Sequence, residues 1–185
     1  MNELGIYGMK SEPDCFEHIV ETLLAAMEAR NPHLRAHSER VADCAVGLAK
    51  PMGLGIVERD ALYFGALLHD VGKLGAPEAG ADSQAPRQCH ALLGEKICRP
   101  LLSAAPLLPF IRSHHEKLDG SGFPDRLHGN DIPLAVQILA VANAYDNLRH
   151  ARNVGASLTH TASMKILQEE AKRGWWNACA VELLA

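Results

Sequence analysis

At 185 residues the chain has room for one domain with a substantial core. Its 48% hydrophobic and 22% charged residues and net charge of −4 exclude a disordered chain, and the mild acidity argues against a duplex DNA or RNA partner. No apolar run approaches the ~18–20 residues a bilayer span needs, and the first ten residues lack the basic and apolar regions of a signal peptide; both point to the cytoplasm and away from a membrane.

Residues 1–12 read as a flexible lead-in and 13–185 as one domain. Asp14 followed by Glu17 fits a capping box that opens a helix. Phe16, Ile19, Val20, Leu23, Leu24 and Met27 follow at helical spacing, and Asn31-Pro32 stops it. A second helix is predicted over about 35–52, with Val41, Cys44, Ala45, Leu48 and Met52 inward. A third covers about 56–70, with Leu62, Ala66 and Leu67 inward, and breaks at Gly72. Residues 75–88 read as a loop, 87–104 as helical, and 106–115 as a short helix. Three glycines and one proline make 118–132 a loop. Pro133 suits a first helical turn, and from there to Leu148 the chain is apolar on nearly every side, as in a central buried helix. Two further helices are predicted over 160–173 and 176–184. No period of two is sustained, so the fold class is all-α.

Aromatic residues are only 5%, yet there are ten histidines. The five cysteines are odd in number and show no CxxC pair, which reads as free thiols in a reducing compartment. The histidines fall at helix positions that a bundle could turn toward one point. His37 lies early in the second helix, His69-Asp70 ends the third, His90 begins the next, and His114-His115 closes the one after. Imidazoles bind first-row metals, and a carboxylate can bridge two of them. Two such ions can generate hydroxide near neutral pH and clamp a phosphate oxygen. His114 and His115 lie about 100° apart on a regular helix, so both reach one ion only at a helix end or distorted turn. His33, four residues before His37, is a lesser candidate; His18, His128, His150 and His160 read as surface residues. Taken alone, Lys73 could be a helix-end cation, the 118–124 glycines a tight turn, and Arg152 a solvated charge.

The runs LLHDVGKLGAPE, HALLGEKI and IRSHHEKLDGSGFPDRLHGNDIPLAVQILAVANAYDNL together resemble an HD-GYP domain of the HD superfamily of metal-dependent phosphohydrolases, over roughly residues 15–185. NPHLRAHSERVADCAVGLA is similar to its opening helix. The resemblance implies an HD-domain helical bundle with two divalent first-row ions, iron or manganese foremost and zinc or nickel as alternatives. It implies a cyclic dinucleotide substrate, cyclic di-GMP above all. On this resemblance His37, His69, Asp70, His90, His114 and His115 are metal ligands, with Asp70 the bridge, and Lys73 contacts the scissile phosphate. Asp119, Gly120, Gly122, Phe123 and Pro124 form the signature loop by the substrate, and Arg152 binds phosphate.

The chain departs from the family's pattern at several points. The last ligand, an aspartate in a VAD motif, is Asn143 in VAN, and an amide oxygen is a neutral donor, poorer for a hard cation. Gln137 and Gly155 stand where the family has basic residues, which removes positive charge from the substrate pocket. The loop between Lys73 and His90 is short, and Phe123 replaces a tyrosine. A second reading follows from Asn143, Gln137 and Gly155: a catalytically weak signalling module that binds nucleotide or a partner protein. A third is an HD hydrolase for another nucleotide phosphoester. Composition and motif leave the oligomeric state open.

Overall fold

The computed structural model describes residues 12–76, 84–150 and 157–185. Among them are eight α-helices and no strand, so the architecture is all-α. The first is α1, Glu12–Arg30. It begins two residues before the predicted capping box, which places Asp14 inside the helix. Its end and the start of α2, Pro32–Ala49, share one junction. Asn31 donates its backbone N–H to Met27 O at 2.9 Å as α1 closes. The same residue caps α2, its side chain accepting from His33 N–H, with Pro32 in the first turn. The dipeptide that stops one helix therefore starts the next, and α2 runs three residues earlier than its predicted span.

Helix α3, Ile56–Leu68, ends at His69, and a 3₁₀ turn, Val71–Leu74, follows where Gly72 was expected to break the chain. Helix α4, Gln84–Cys98, starts within the stretch expected as loop. A 3₁₀ segment, Leu102–Leu107, leads into α5, Leu108–Ser113. The 118–132 region is irregular, pinned by an isolated antiparallel bridge between Asp119 and His128 and by a short 3₁₀ turn, Gly129–Asp131. Helix α6, Leu134–Arg149, is the predicted central helix, burying Val136, Ile138, Leu139, Ala140, Val141 and Ala142. Helices α7, His160–Lys172, and α8, Ala178–Glu182, close the chain.

The core forms because the apolar faces of α2, α3 and α6 meet. Val41, Ala45 and Leu48 of α2 pack with Leu62, Ala66 and Leu68 of α3 and with Ile138 and Leu139 of α6. A smaller cluster of Val141, Met164, Leu167, Ala180 and Val181 seals α7 and α8 onto α6. At roughly 1.5–3 kcal/mol for each fully buried aliphatic side chain, these contacts are the main force holding the helix ends together. The polar ends of α2, α3, α4 and α5 carry the histidines. No described helix is long and apolar enough to cross a membrane. Cys44, Cys89, Cys98 and Cys179 are free thiols, as their spacing suggested.

Candidate metal centre

Asp70 sits at the middle of a buried polar cluster and is 1% exposed. It follows the last turn of α3, so its carboxylate projects from a helix end instead of a helix face. One oxygen, Oδ2, faces His37 Nε2 at 3.7 Å and His69 Nε2 at 3.5 Å. The other, Oδ1, faces His90 Nε2 at 3.3 Å and His114 Nε2 at 3.9 Å. His115 Nε2 completes the second side, 3.1 Å from His90 Nε2, which is also 3.1 Å from His114 Nε2. Two groups result, His37–His69–Asp70 and His90–His114–His115, each with its donor atoms within 4.8 Å of one another. The adjacent His114 and His115 converge because α5 ends at Ser113, which frees both from helical geometry.

The hydrogen bonds behind the rings set which nitrogen carries the proton. His37 Nδ1–H donates to Asp146 Oδ2 at 2.6 Å and His69 Nδ1–H to Ala66 O at 2.6 Å. His114 Nδ1–H lies 3.0 Å from Ile111 O and 3.2 Å from Phe110 O. Each of these rings therefore turns an Nε2 lone pair inward, toward a carboxylate that can only accept. His69 Nε2 is fully buried with no hydrogen-bond partner. Buried polar atoms are rarely left so. An array of lone pairs around one shared carboxylate is what a cation neutralises, and nitrogen with carboxylate oxygen suits first-row divalent ions. The residues present fit a two-ion centre.

Electrostatics agree with that donor chemistry. Burial pushes His69 down from 6.5 to about 4, against the opposing pull of Asp70. Burial and the neighbouring rings also hold His114 and His115 below the ordinary imidazole range. These three rings are neutral, and so ligand-competent, at pH 7. Burial alone would raise Asp70, but the Lys73 ammonium outweighs it and keeps the carboxyl ionised. Lys73, from the 3₁₀ turn, pairs with Asp70 Oδ2 and stays half-buried at the edge of the centre.

The signature loop leans on this cluster. Phe123 stacks against His115 with ring centroids 4.7 Å apart, and its N–H donates to His115 O at 3.3 Å. The Phe123–Pro124 peptide is cis. Asp119 accepts from Ser121 N–H and Oγ–H at 2.9 and 2.7 Å, so it caps its own loop, and Gly120 follows with φ 77°. Gly122 passes so close to the preceding turn that a Cβ there would lie 2.4 Å from Lys117 N. Asn143 is buried on α6, its Oδ1 accepting from Asn147 Nδ2 at 2.8 Å. Arg152 lies outside the described residues. His33, His18, His128, His150 and His160 are exposed.

Several residues of the site carried no clear mark in the sequence. Glu116, 2% exposed, accepts backbone N–H groups of Asp125, Arg126 and Leu127 at 2.7–3.1 Å and so moulds the loop. Arg112 grips Asp125 with two hydrogen bonds of 2.7 Å and ties Glu95 of α4 at 2.5 Å. Asp146 holds His37 from behind. Gln137 was expected to deplete charge in the substrate pocket. Its neutral amide bonds to Ile132 O and to Asn177 Nδ2, both at 2.8 Å, clamping the end of the loop to the C-terminal segment. What marks Glu116 and Asp146 is their burial, since buried acids persist only with partners, and that is visible in the fold alone.

The HD domain family profile matches residues 21–178. Among curated relatives, the chain is 32% identical over 161 residues to 3'3'-cGAMP-specific phosphodiesterase 3 of Vibrio cholerae, covering 83% of this chain and 35% of that protein. It is 31% identical over 146 residues to a cyclic di-GMP phosphodiesterase of Thermotoga maritima, covering 72% and 39%. The chain thus spans little more than a third of the length of these relatives. Among solved structures, an HDG"Y"P protein from Bdellovibrio bacteriovorus superposes with a TM-score of 0.69 at 21% identity, over 82% of this chain and 51% of that one. A cyclic GMP-AMP specific phosphodiesterase of V. cholerae gives 0.66 at 17% identity, over 90% and 47%. These structural likenesses speak for the fold, and the profile match for the lineage: the chain belongs to the HD domain family, of the HD-GYP kind that its histidine motifs and glycine-rich loop resemble.

Proposed function

We propose that the chain is a metal-dependent phosphodiesterase that hydrolyses a cyclic dinucleotide. His37, His69 and one oxygen of Asp70 hold one ion, with Asn143 Oδ1 as a weak further donor. His90, His114, His115 and the other oxygen of Asp70 hold the second. The observation that carries the reading is the split Asp70 carboxylate with imidazole lone pairs converging on each side. Iron or manganese suits this mixed nitrogen and oxygen set, with zinc or nickel as alternatives. When bound, the ions supply an acidified water and neutralise charge on the phosphoryl oxygens.

The chain's own groups do the rest. Asp70 orients both halves toward one another. Lys73 is tethered beside Asp70 and meets the negative charge that grows on the non-bridging phosphoryl oxygens during in-line attack. Phe123, stacked on His115, offers an apolar face to the substrate at the rim, and Asp119, Gly120, Gly122 and Pro124 shape that rim. Arg152 is the proposed second phosphate contact.

Cyclic di-GMP is the proposed substrate, and the names of several relatives make 3'3'-cGAMP the second candidate. The neutral Asn143 favours one competing reading, a binding module with slow turnover. Hydrolysis of both dinucleotides by protein loaded with Mn²⁺ or Fe²⁺, with and without a chelator, separates these. Turnover that the chelator abolishes is expected. Tight dinucleotide binding with no turnover under any ion would replace the enzyme with the module.

A further inference from the structure

We infer that Asp146, braced by Arg40, is a positioning residue that fixes the orientation and tautomer of His37 and thereby sets the affinity of one half of the centre. This rests on the metal reading above. Asp146 lies on α6 and is 4% exposed, in a helix whose other buried residues are mostly apolar. A carboxylate is tolerated there only when charge-paired and hydrogen-bonded. Three hydrogen bonds and one close ring nitrogen meet that need. His37 Nδ1–H donates to Oδ2 at 2.6 Å, and Arg40 Nε and Nη2 donate to Oδ1 and Oδ2 at 2.7 and 2.9 Å. His150 Nδ1 lies 2.9 Å from Oδ1.

His37 and Arg40 are three residues apart on α2 and share the face turned to α6. One carboxylate therefore spans the helix pair and engages both. Arg40 presents a rigid fork, so it fixes the carboxylate plane, and the carboxylate fixes the imidazole. With its proton held on Nδ1, His37 can present only a lone pair at Nε2, the atom facing Asp70. In the other half of the centre, His114 leans on the backbone carbonyls of Phe110 and Ile111.

Replacing the carboxylate by an amide reverses the logic. In Asp146→Asn the amide oxygen is claimed by the Arg40 fork, which leaves the amide N–H groups facing His37 Nδ1. The ring must then accept at Nδ1 and carry its proton on Nε2, where no cation can bind.

Titration of folded, metal-free protein with Mn²⁺ alone tests this by calorimetry. Wild type is expected to take up two ions per chain. Asp146→Asn is expected to lose about 10–100-fold in affinity at one of them and to keep the other. Arg40→Gln, which leaves the His37 bond in place, is expected to lose less. Two unchanged binding steps in Asp146→Asn would overturn the inference. If that variant loses helical content by circular dichroism, the wild-type protein decides: ring ¹⁵N shifts should show His37 protonated on Nδ1, and a proton on Nε2 overturns the assignment. A wild-type chain that takes up no ion sinks the proposed function, while the ring measurement still rules on His37 by itself.

Discussion

The two halves of the centre share Asp70 but are built differently. The His90–His114–His115 half gathers three imidazoles from α4 and the end of α5, with nitrogens 3.1 Å apart. The His37–His69 half has two imidazoles, one from α2 and one from the end of α3, and draws on α6 for Asp146 behind His37. It also shares its Asp70 oxygen with the Lys73 ammonium. One half is made by local crowding, the other by a helix pair held in register. The first should hold its ion tightly, and the second should exchange.

The largest effect expected is loss of the residue both halves share. Asp70→Asn should remove both ions and lower turnover by well over the ~100-fold that partners behind the ligands cost; metal content by elemental analysis and a dinucleotide hydrolysis assay check it. If one ion survived, Asp70 would not be the bridge. Next come the single-half deletions. His114→Ala should reduce metal content toward zero, because the tighter site is lost. His37→Ala should leave close to one ion per chain. Equal losses would erase the distinction between the halves.

Asn143→Asp sharpens the comparison from the other side. A negative donor on α6 should raise Mn²⁺ affinity in the weaker half by about tenfold or more, and raise turnover with it, since carboxylate charge governs affinity for hard cations. No gain in either would show that Asn143 is a structural partner of Asn147 alone. The smallest effect concerns protons. His69, His114 and His115 are held below the free imidazole value, so the unfolded chain takes up protons that the folded chain refuses. The contribution of His69 to stability is full above pH 6.5 and is lost as pH falls toward about 4, and those of His114 and His115 are lost in the same direction. In chelator, melting temperature should therefore decline across that interval, and a flat profile would contradict the burial of these rings.

The sequence made the candidate ligands easy to find and the residues behind them hard to find. His37, His69, Asp70, His90 and the 114–115 pair stand out because histidines are few in ordinary cores and fall here at helix ends. Helix boundaries were less readable. Asn31-Pro32 carries both a stop and a start signal, and Asp14 offers a capping pattern inside α1. The contact between His37 and Asp146 joins residues 109 positions apart, and nothing local to either reports it. Glu116 is similar: its value lies in the three loop N–H groups it accepts, which only the folded loop presents. The bond between Gln137 and Asn177 spans 40 positions and is equally invisible in the sequence.

Gly72 sits where the 3₁₀ turn meets α4. A Cβ at this position would lie 1.8 Å from the backbone oxygen of His90 and 2.4 Å from Gly94 N. The turn that carries Asp70 and Lys73 thus rests directly on the spine of α4. The gap between the carboxylate and His90 is gauged by bare main chain, with no side chain acting as a shim. Exchanges among the candidate ligands would alter the donor chemistry while the spacing of the two donor groups stays the same. Even a methyl group at Gly72 would widen that spacing and leave every ligand chemically intact.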